Sequence, residues 1–146
     1  MIGTLTALFE RDLNKLIEEI NLYKNEEDLW RIKEGISNSA GNLALHVAGG
    51  LKHFIGAILG NTAYVRQRDK EFSQKNIPRE QIIEDLKKTI EIIENSLSIL
   101  TEEDIEKDFP VYFNIENPST SYVLLYLLTH VSYHLGQVNY HRRLLS

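Results

Sequence analysis

The sequence predicts an all-α protein, a four-helix bundle with a long crossover connection, in a single domain that spans residues 1–146. Apolar residues recur at three- and four-residue steps in four long segments, which is the period of an amphipathic helix. The one strand-like run, Val111-Tyr-Phe-Asn, has no hairpin signal and is predicted to be a loop. A chain of 146 residues with 42% apolar residues can also bury a hydrophobic core of its own.

Each helix has its own sequence signals. The four helices are expected at about residues 2–23, 39–60, 78–100 and 119–145. The second follows the cap-forming run Ser37-Asn-Ser and closes at Gly60, and Pro78 suits the first turn of the third. Two connections, roughly residues 61–77 and 101–118, are longer than simple hairpins need, so at least one should cross over. The first of them is polar and is predicted to be a loop.

Composition excludes several classes of function. The chain has 16 Lys and Arg against 21 Asp and Glu, a net charge of −5, which disfavours nucleic-acid binding. Its longest run without charged side chains, Asn117 to His141, is interrupted by His130, His134 and other polar residues, so no membrane span is expected. The first residues lack the cationic region of a signal peptide, and a cytoplasmic location is expected. The absence of cysteine excludes disulfides, Cys-based zinc sites and a cysteine nucleophile.

The second and fourth helices differ from ordinary amphipathic helices. Between Asn42 and Gly60 the only charged side chain is Lys52, and five glycines lie in or near this helix, which favours close helix–helix approach. The fourth helix has an apolar face from Leu124, Leu128, Val131, Leu135 and Val138, and a separate stripe of Tyr122, Tyr126, Tyr133 and Tyr140. Both helices should be buried on more than one face, either under the long connections or in a homodimer, which is the predicted assembly.

All five histidines fall on these two helices. His130 and His134 are four residues apart, so their imidazoles lie one turn apart on one face and can reach one divalent ion. His46, on the nearly uncharged second helix, is the natural third ligand. His53 and His141 are each seven residues from a candidate ligand and are interpreted as helix-end or boundary residues. Buried structural histidines without a metal are the alternative. The chain has neither the Glu-x-x-His pairs of di-iron bundles nor a His-Glu-x-x-His protease motif.

The pairing of Asn-Leu-Ala-Leu-His46-Val with His130-Val-Ser-Tyr-His134-Leu-Gly-Gln resembles the DinB/YfiT-like superfamily of metal-dependent proteins. The likeness covers essentially the whole chain. It implies a four-helix bundle with a long crossover, one divalent ion (zinc or nickel) held by His46, His130 and His134, and homodimerisation. Members of known activity include S-transferases that use low-molecular-weight thiols and metal-dependent hydrolases. The resemblance thus implies a small-molecule substrate.

The ligand helices offer no carboxylate that could act as a general base, which favours thiol transfer over hydrolysis. Glu10, Glu34 or a carboxylate from a loop could still supply a base, so hydrolysis stays open. Gln137 and Asn42 lie near the ligands' helical faces and could orient them, or could be ordinary polar residues. No catalytic residue is assigned. The alternative function is a non-catalytic dimeric bundle with a structural or adventitious metal site.

Overall fold

The computed structural model describes residues 1–145 and is all-helical, as predicted. Five α-helices follow one another along the chain: α1 (Ile2–Leu22), α2 (Ala40–Leu51), α3 (Arg68–Ser73), α4 (Arg79–Ser98) and α5 (Thr120–Leu145). A π-helical segment, Lys52–Leu59, continues directly from α2. Two short 3₁₀ turns, Glu26–Trp30 and Asp104–Glu106, lie in the connections.

The four long helices begin and end within two residues of their predicted bounds. The second differs in kind, because its last turns are π-helical and the Gly60 N–H donates to the Ile55 carbonyl at 2.9 Å. A hydrophobic pattern predicts a helix but not the size of its hydrogen-bonded rings. The start of α2 is capped by Ser39, whose hydroxyl accepts a hydrogen bond from the Asn42 N–H at 3.2 Å.

The hydrophobic core lies between the long helices. The α1 helix packs on α4 and α5, and α2 packs on the same two helices. The predicted apolar face of α5 is confirmed: four of its members are buried and Leu135 is partly buried against the core. The tyrosine stripe of α5 lies outside this core, with exposed fractions from 45% at Tyr126 to 65% at Tyr133.

The α2 helix is covered on its outer side by the chain's own connection, since α3 packs against it. Its continuation also approaches α4 closely, because a Cβ on Gly56 would lie 2.8 Å from the Ile92 side chain. The predicted close approach at the glycines is thus confirmed there. By length and composition Ala40–Leu59 could cross a membrane, but 56% of its most apolar stretch is buried inside the molecule, as in core helices of soluble proteins.

The prediction of a loop throughout residues 61–77 is wrong for the six residues that form α3. Six residues are too few to show an amphipathic period, and such a helix depends on tertiary contacts for its stability. The second long connection, residues 101–118, begins with a short turn. Thr101 and Asp104 form reciprocal side-chain to backbone hydrogen bonds of 2.9 and 3.0 Å. Residues 111–114 form no strand, and Phe113 takes part only in an isolated bridge with Ile115.

Candidate metal centre

The three predicted ligands meet where α2 packs on α5. His46 lies in the second turn of α2, and His130 and His134 lie one turn apart on α5. One ring nitrogen from each histidine lies within 4.8 Å of the other two. The Nε2 atoms of His130 and His134 are 3.0 Å apart, and the His46 ring centroid is 5.1 and 5.2 Å from theirs. The structure therefore brings together all three histidines that the sequence singles out.

This donor set could hold a metal ion. Imidazole nitrogens at about 2.1 Å in a tetrahedral shell are about 3.4 Å from one another. The widest pair here, at no more than 4.8 Å, would have to close by at most about 1.4 Å. His46 is buried, and His130 and His134 are half-buried. Three protein ligands leave a divalent ion at least one open position, which is the pattern of catalytic rather than structural sites.

His46 is held by a carboxylate that comes from α3. Its Nδ1 lies 3.0 Å from the Glu71 carboxylate, which is buried at 6% exposure. Arg66 donates two further hydrogen bonds of 2.9 Å to the same carboxylate, one from Nε and one from Nη2. Since a carboxylate accepts, the Nδ1 of His46 donates to Glu71, which leaves its Nε2 as the nitrogen available to a metal ion.

A glycine in α2 makes room for this carboxylate. A Cβ on Gly49 would lie 2.0 Å from Glu71 Oε2 and 2.6 Å from its Cδ. At the next position, a Cβ on Gly50 would meet the Arg66 guanidinium at ordinary contact distances, 3.5 Å from Nη2 and 3.9 Å from Cζ. Gly49 is therefore the position at which any larger side chain displaces Glu71.

The two predicted orienting residues have different roles. Gln137 contacts a ligand directly, since its Oε1 lies 2.7 Å from His134 Nδ1. That bond assigns the Nδ1–H tautomer to His134 and leaves its Nε2 free as a ligand. Asn42 has no hydrogen bond to a histidine in the described part of the chain. Its amide instead donates to the backbone carbonyls of Glu71 and Gln74 at 2.9 and 2.8 Å, which anchors α3 on α2.

The pKa values of the cluster favour the binding of a cation. Burial, reinforced by the other two histidines and Arg66, lowers the pKa of His130 to about 4. Burial also lowers the pKa of His134, although its bond to Gln137 opposes this. Burial acts to raise the pKa of Glu71, but hydrogen bonds from His46 and Arg66 outweigh it, and the pKa is lowered. At neutral pH His130 and His134 are therefore neutral and Glu71 is ionised, as metal binding by imidazoles requires.

The other two histidines lie outside the cluster. His53 packs against the Phe54 ring with centroids 4.7 Å apart. His141 is buried at 4% exposure rather than at a boundary, which corrects that interpretation. Its Nε2–H donates to the Arg31 carbonyl at 2.9 Å, and its Nδ1 accepts from the Tyr23 hydroxyl at 2.6 Å. His141 therefore joins α5 to the end of α1 and to the connection that follows it.

The sequence analysis did not identify Glu71 or Arg66. It expected only that some carboxylate from a loop could supply a general base. Neither Glu10 nor Glu34 has a hydrogen bond or ion pair to the cluster among the described residues. The available signal was Gly49, because a glycine inside a helix usually has a packing reason, and here that reason is the close approach of the Glu71 side chain.

Two cavities open beside the cluster. His46 and His130 line one of about 420 Å³, and His134 lines another of about 360 Å³. Within the described residues, neither lining includes an Asp or Glu side chain.

Fold and cluster together define a small all-helical protein with a three-histidine site that could hold a metal ion. The chain belongs to the family described as "Protein of unknown function (DUF1572)", whose model matches residues 5–146. A comparison with curated proteins finds no match. The family description names no reaction, so the likeness to the DinB/YfiT-like superfamily stays a prediction.

Proposed function

We propose that this protein is a metal-dependent enzyme of the DinB-like type, a four-helix bundle in which His46, His130 and His134 hold one zinc or nickel ion. The observation that carries the proposal is the convergence of three histidine side chains, two of which line the same cavity. Two of them have a second nitrogen bonded to a fixed oxygen acceptor, Glu71 or Gln137. Such partners orient metal-ligating histidines and raise their basicity.

The reaction that we propose is S-transfer from a small thiol, with hydrolysis as the second candidate. A divalent ion in this site would lower the pKa of a substrate thiol. Hydrolysis needs a general base beside the attacking water. The nearest carboxylate is Glu71, and its oxygens already accept from His46 and Arg66. Because the cavity lining offers no other carboxylate in the described part of the chain, thiol chemistry suits these residues better.

Five residues of the chain have defined roles in the proposed reaction. His46, His130 and His134 would hold the ion, each through one ring nitrogen. Glu71 keeps the proton of His46 on Nδ1, and Gln137 does the same for His134. The thiol substrate loses its proton to solvent, and its sulfur then forms a bond to an electrophilic carbon of the second substrate. The bond from that carbon to its leaving group breaks at the same time, and the leaving group departs with the electron pair and takes a proton from solvent.

Metal content and thiol access test the proposal together. Untagged protein should contain close to one equivalent of zinc or nickel, and His134→Ala should lose most of it. Addition of 2-mercaptoethanol to the cobalt-loaded protein should produce a sulfur-to-cobalt charge-transfer band. Absence of metal from both the purified and the zinc-supplemented protein would overturn the proposal. A bound metal without the thiol band would instead support a closed, structural site.

A further inference from the structure

The larger cavity has one aromatic wall and one wall formed by the metal-site histidines. It holds about 420 Å³, which is within the range of small-molecule sites. Phe54, Phe113 and Tyr126 form the aromatic wall, with ring centroids 5.0 Å apart for the first pair and 5.2 Å for the second. His46 and His130 belong to the same lining. A ligand here would contact aromatic rings while one of its ends reached the histidines.

The charge of this cavity is positive. Arg66 and Arg68 both contribute to the lining, which contains no Asp or Glu among the described residues. The charge of Arg66 is neutralised by its two hydrogen bonds to the Glu71 carboxylate. Arg68 has no such partner: its guanidinium lies over the Phe72 ring, 5.3 Å from the centroid, and no carboxylate of the described chain pairs with it. The uncompensated cation of the cavity is therefore Arg68.

We infer that this cavity binds an organic carboxylate with an apolar or aromatic body. The Arg68 guanidinium receives the carboxylate, since its planar fork matches a carboxylate in geometry and charge. The body packs against Phe54, Phe113 and Tyr126, where edge and face contacts with a ring are favourable. The inference names the substrate class for the proposed enzyme and rests on that function for the reaction, but the binding itself needs no metal.

The test measures binding of three probes to the full-length protein after chelation of metal, by titration calorimetry or NMR. Phenylacetate has both the charge and the ring, phenylacetamide lacks the charge, and acetate lacks the ring. We expect phenylacetate to bind more tightly than either of the others. Equal affinity for phenylacetate and phenylacetamide would overturn the inference, because the cation would then have no role.

Two variants localise the charge. Arg68→Gln should weaken phenylacetate binding roughly tenfold, the loss expected for one charge-assisted hydrogen bond. Arg68→Lys should recover part of it. Lys70→Gln is the matched control, since it removes the same charge two residues away at a residue that lines a different cavity. An equal loss in Lys70→Gln and Arg68→Gln would show only a general effect of charge and would also overturn the inference.

Zinc binding separates this inference from the proposed function. Arg68→Gln should keep the zinc affinity of the parent protein, whereas His134→Ala should lose zinc and keep phenylacetate binding. If the parent protein binds no zinc but binds phenylacetate through Arg68, the proposed function fails and the carboxylate site stands. If zinc binds and phenylacetate binding does not depend on Arg68, the carboxylate site fails and the proposed function stands.

Discussion

Replacing Gly49 with alanine should weaken metal binding without changing any ligand. The added Cβ would lie 2.0 Å from Glu71 Oε2, and ordinary contact begins at 3.4 Å, so the carboxylate must retreat by about 1.4 Å. The same carboxylate makes the 3.0 Å hydrogen bond from its Oε1 to His46 Nδ1, so this movement should disturb that bond. Loss of such an outer partner typically lowers metal affinity about 10- to 100-fold, which corresponds to roughly 1.4–2.8 kcal/mol.

Gly50→Ala is the matched control for this measurement. Both substitutions favour a helix by about 1 kcal/mol, but the Cβ at Gly50 would approach the Arg66 guanidinium no closer than 3.5 Å. Zinc affinity, measured by competition with a chromophoric chelator, should therefore fall in Gly49→Ala and stay at the parent value in Gly50→Ala. Glu71→Gln, which retains an acceptor but removes the charge, should give an intermediate affinity. The reasoning is refuted if the two alanine variants bind zinc equally well.

Three further predictions follow from the structure. His134→Ala should lose most bound metal, measured by elemental analysis, while His53→Ala should keep it; the opposite result would mean that the ligand set is wrong. Burial lowers the pKa of His141, although its hydrogen bond to a backbone carbonyl opposes the shift in part. As the pH falls towards the ordinary histidine pKa of about 6.5 and below it, the unfolded chain therefore binds more protons than the folded chain. The free energy of unfolding, measured in urea, should therefore fall as the pH decreases from 7.5 to 5.5, and less steeply in His141→Gln; equal slopes would contradict this. Light scattering should give about twice the chain mass of 16.9 kDa, because the tyrosine stripe of α5 presents exposed rings to a second copy; the mass of one chain at every concentration would exclude the homodimer.

The long helices could be predicted from sequence because their signal is local and repeated. Apolar residues on α1 and α5 recur over five or more turns, so an error at one position does not change the result. The ligand set was accessible for a similar reason. His130 and His134 are four residues apart, which in a helix places both imidazoles on the same face. His46 lies on a helix almost without charged side chains. Packing of α2 on α5 then brings the third imidazole to the other two.

The outer partners could not be predicted in the same way, because their positions depend on tertiary contacts. Glu71 and Arg66 lie in a polar connection whose sequence shows no period. The connection is placed by the Asn42 amide, which donates to the Glu71 and Gln74 carbonyls, and by the space above Gly49. Asn42 was predicted to orient a ligand or to be an ordinary polar residue, and it bonds no histidine in the described part of the chain. Its task is to hold the backbone of α3, a role that spacing along α2 cannot reveal.

The metal ligands and their outer partners come from different elements, which explains how the properties of this site can be changed by substitutions. The ligands come from α2 and α5, whose side chains help to form the core, so their positions follow from the fold itself. The carboxylate that holds His46 and the cation of the larger cavity, Arg68, both come from the six residues of α3. So short a helix is not stable alone and depends on its anchors to α2. Substitutions in α3 can therefore alter ligand basicity and substrate charge while the core keeps its packing, which is how loops on a fixed scaffold change chemistry.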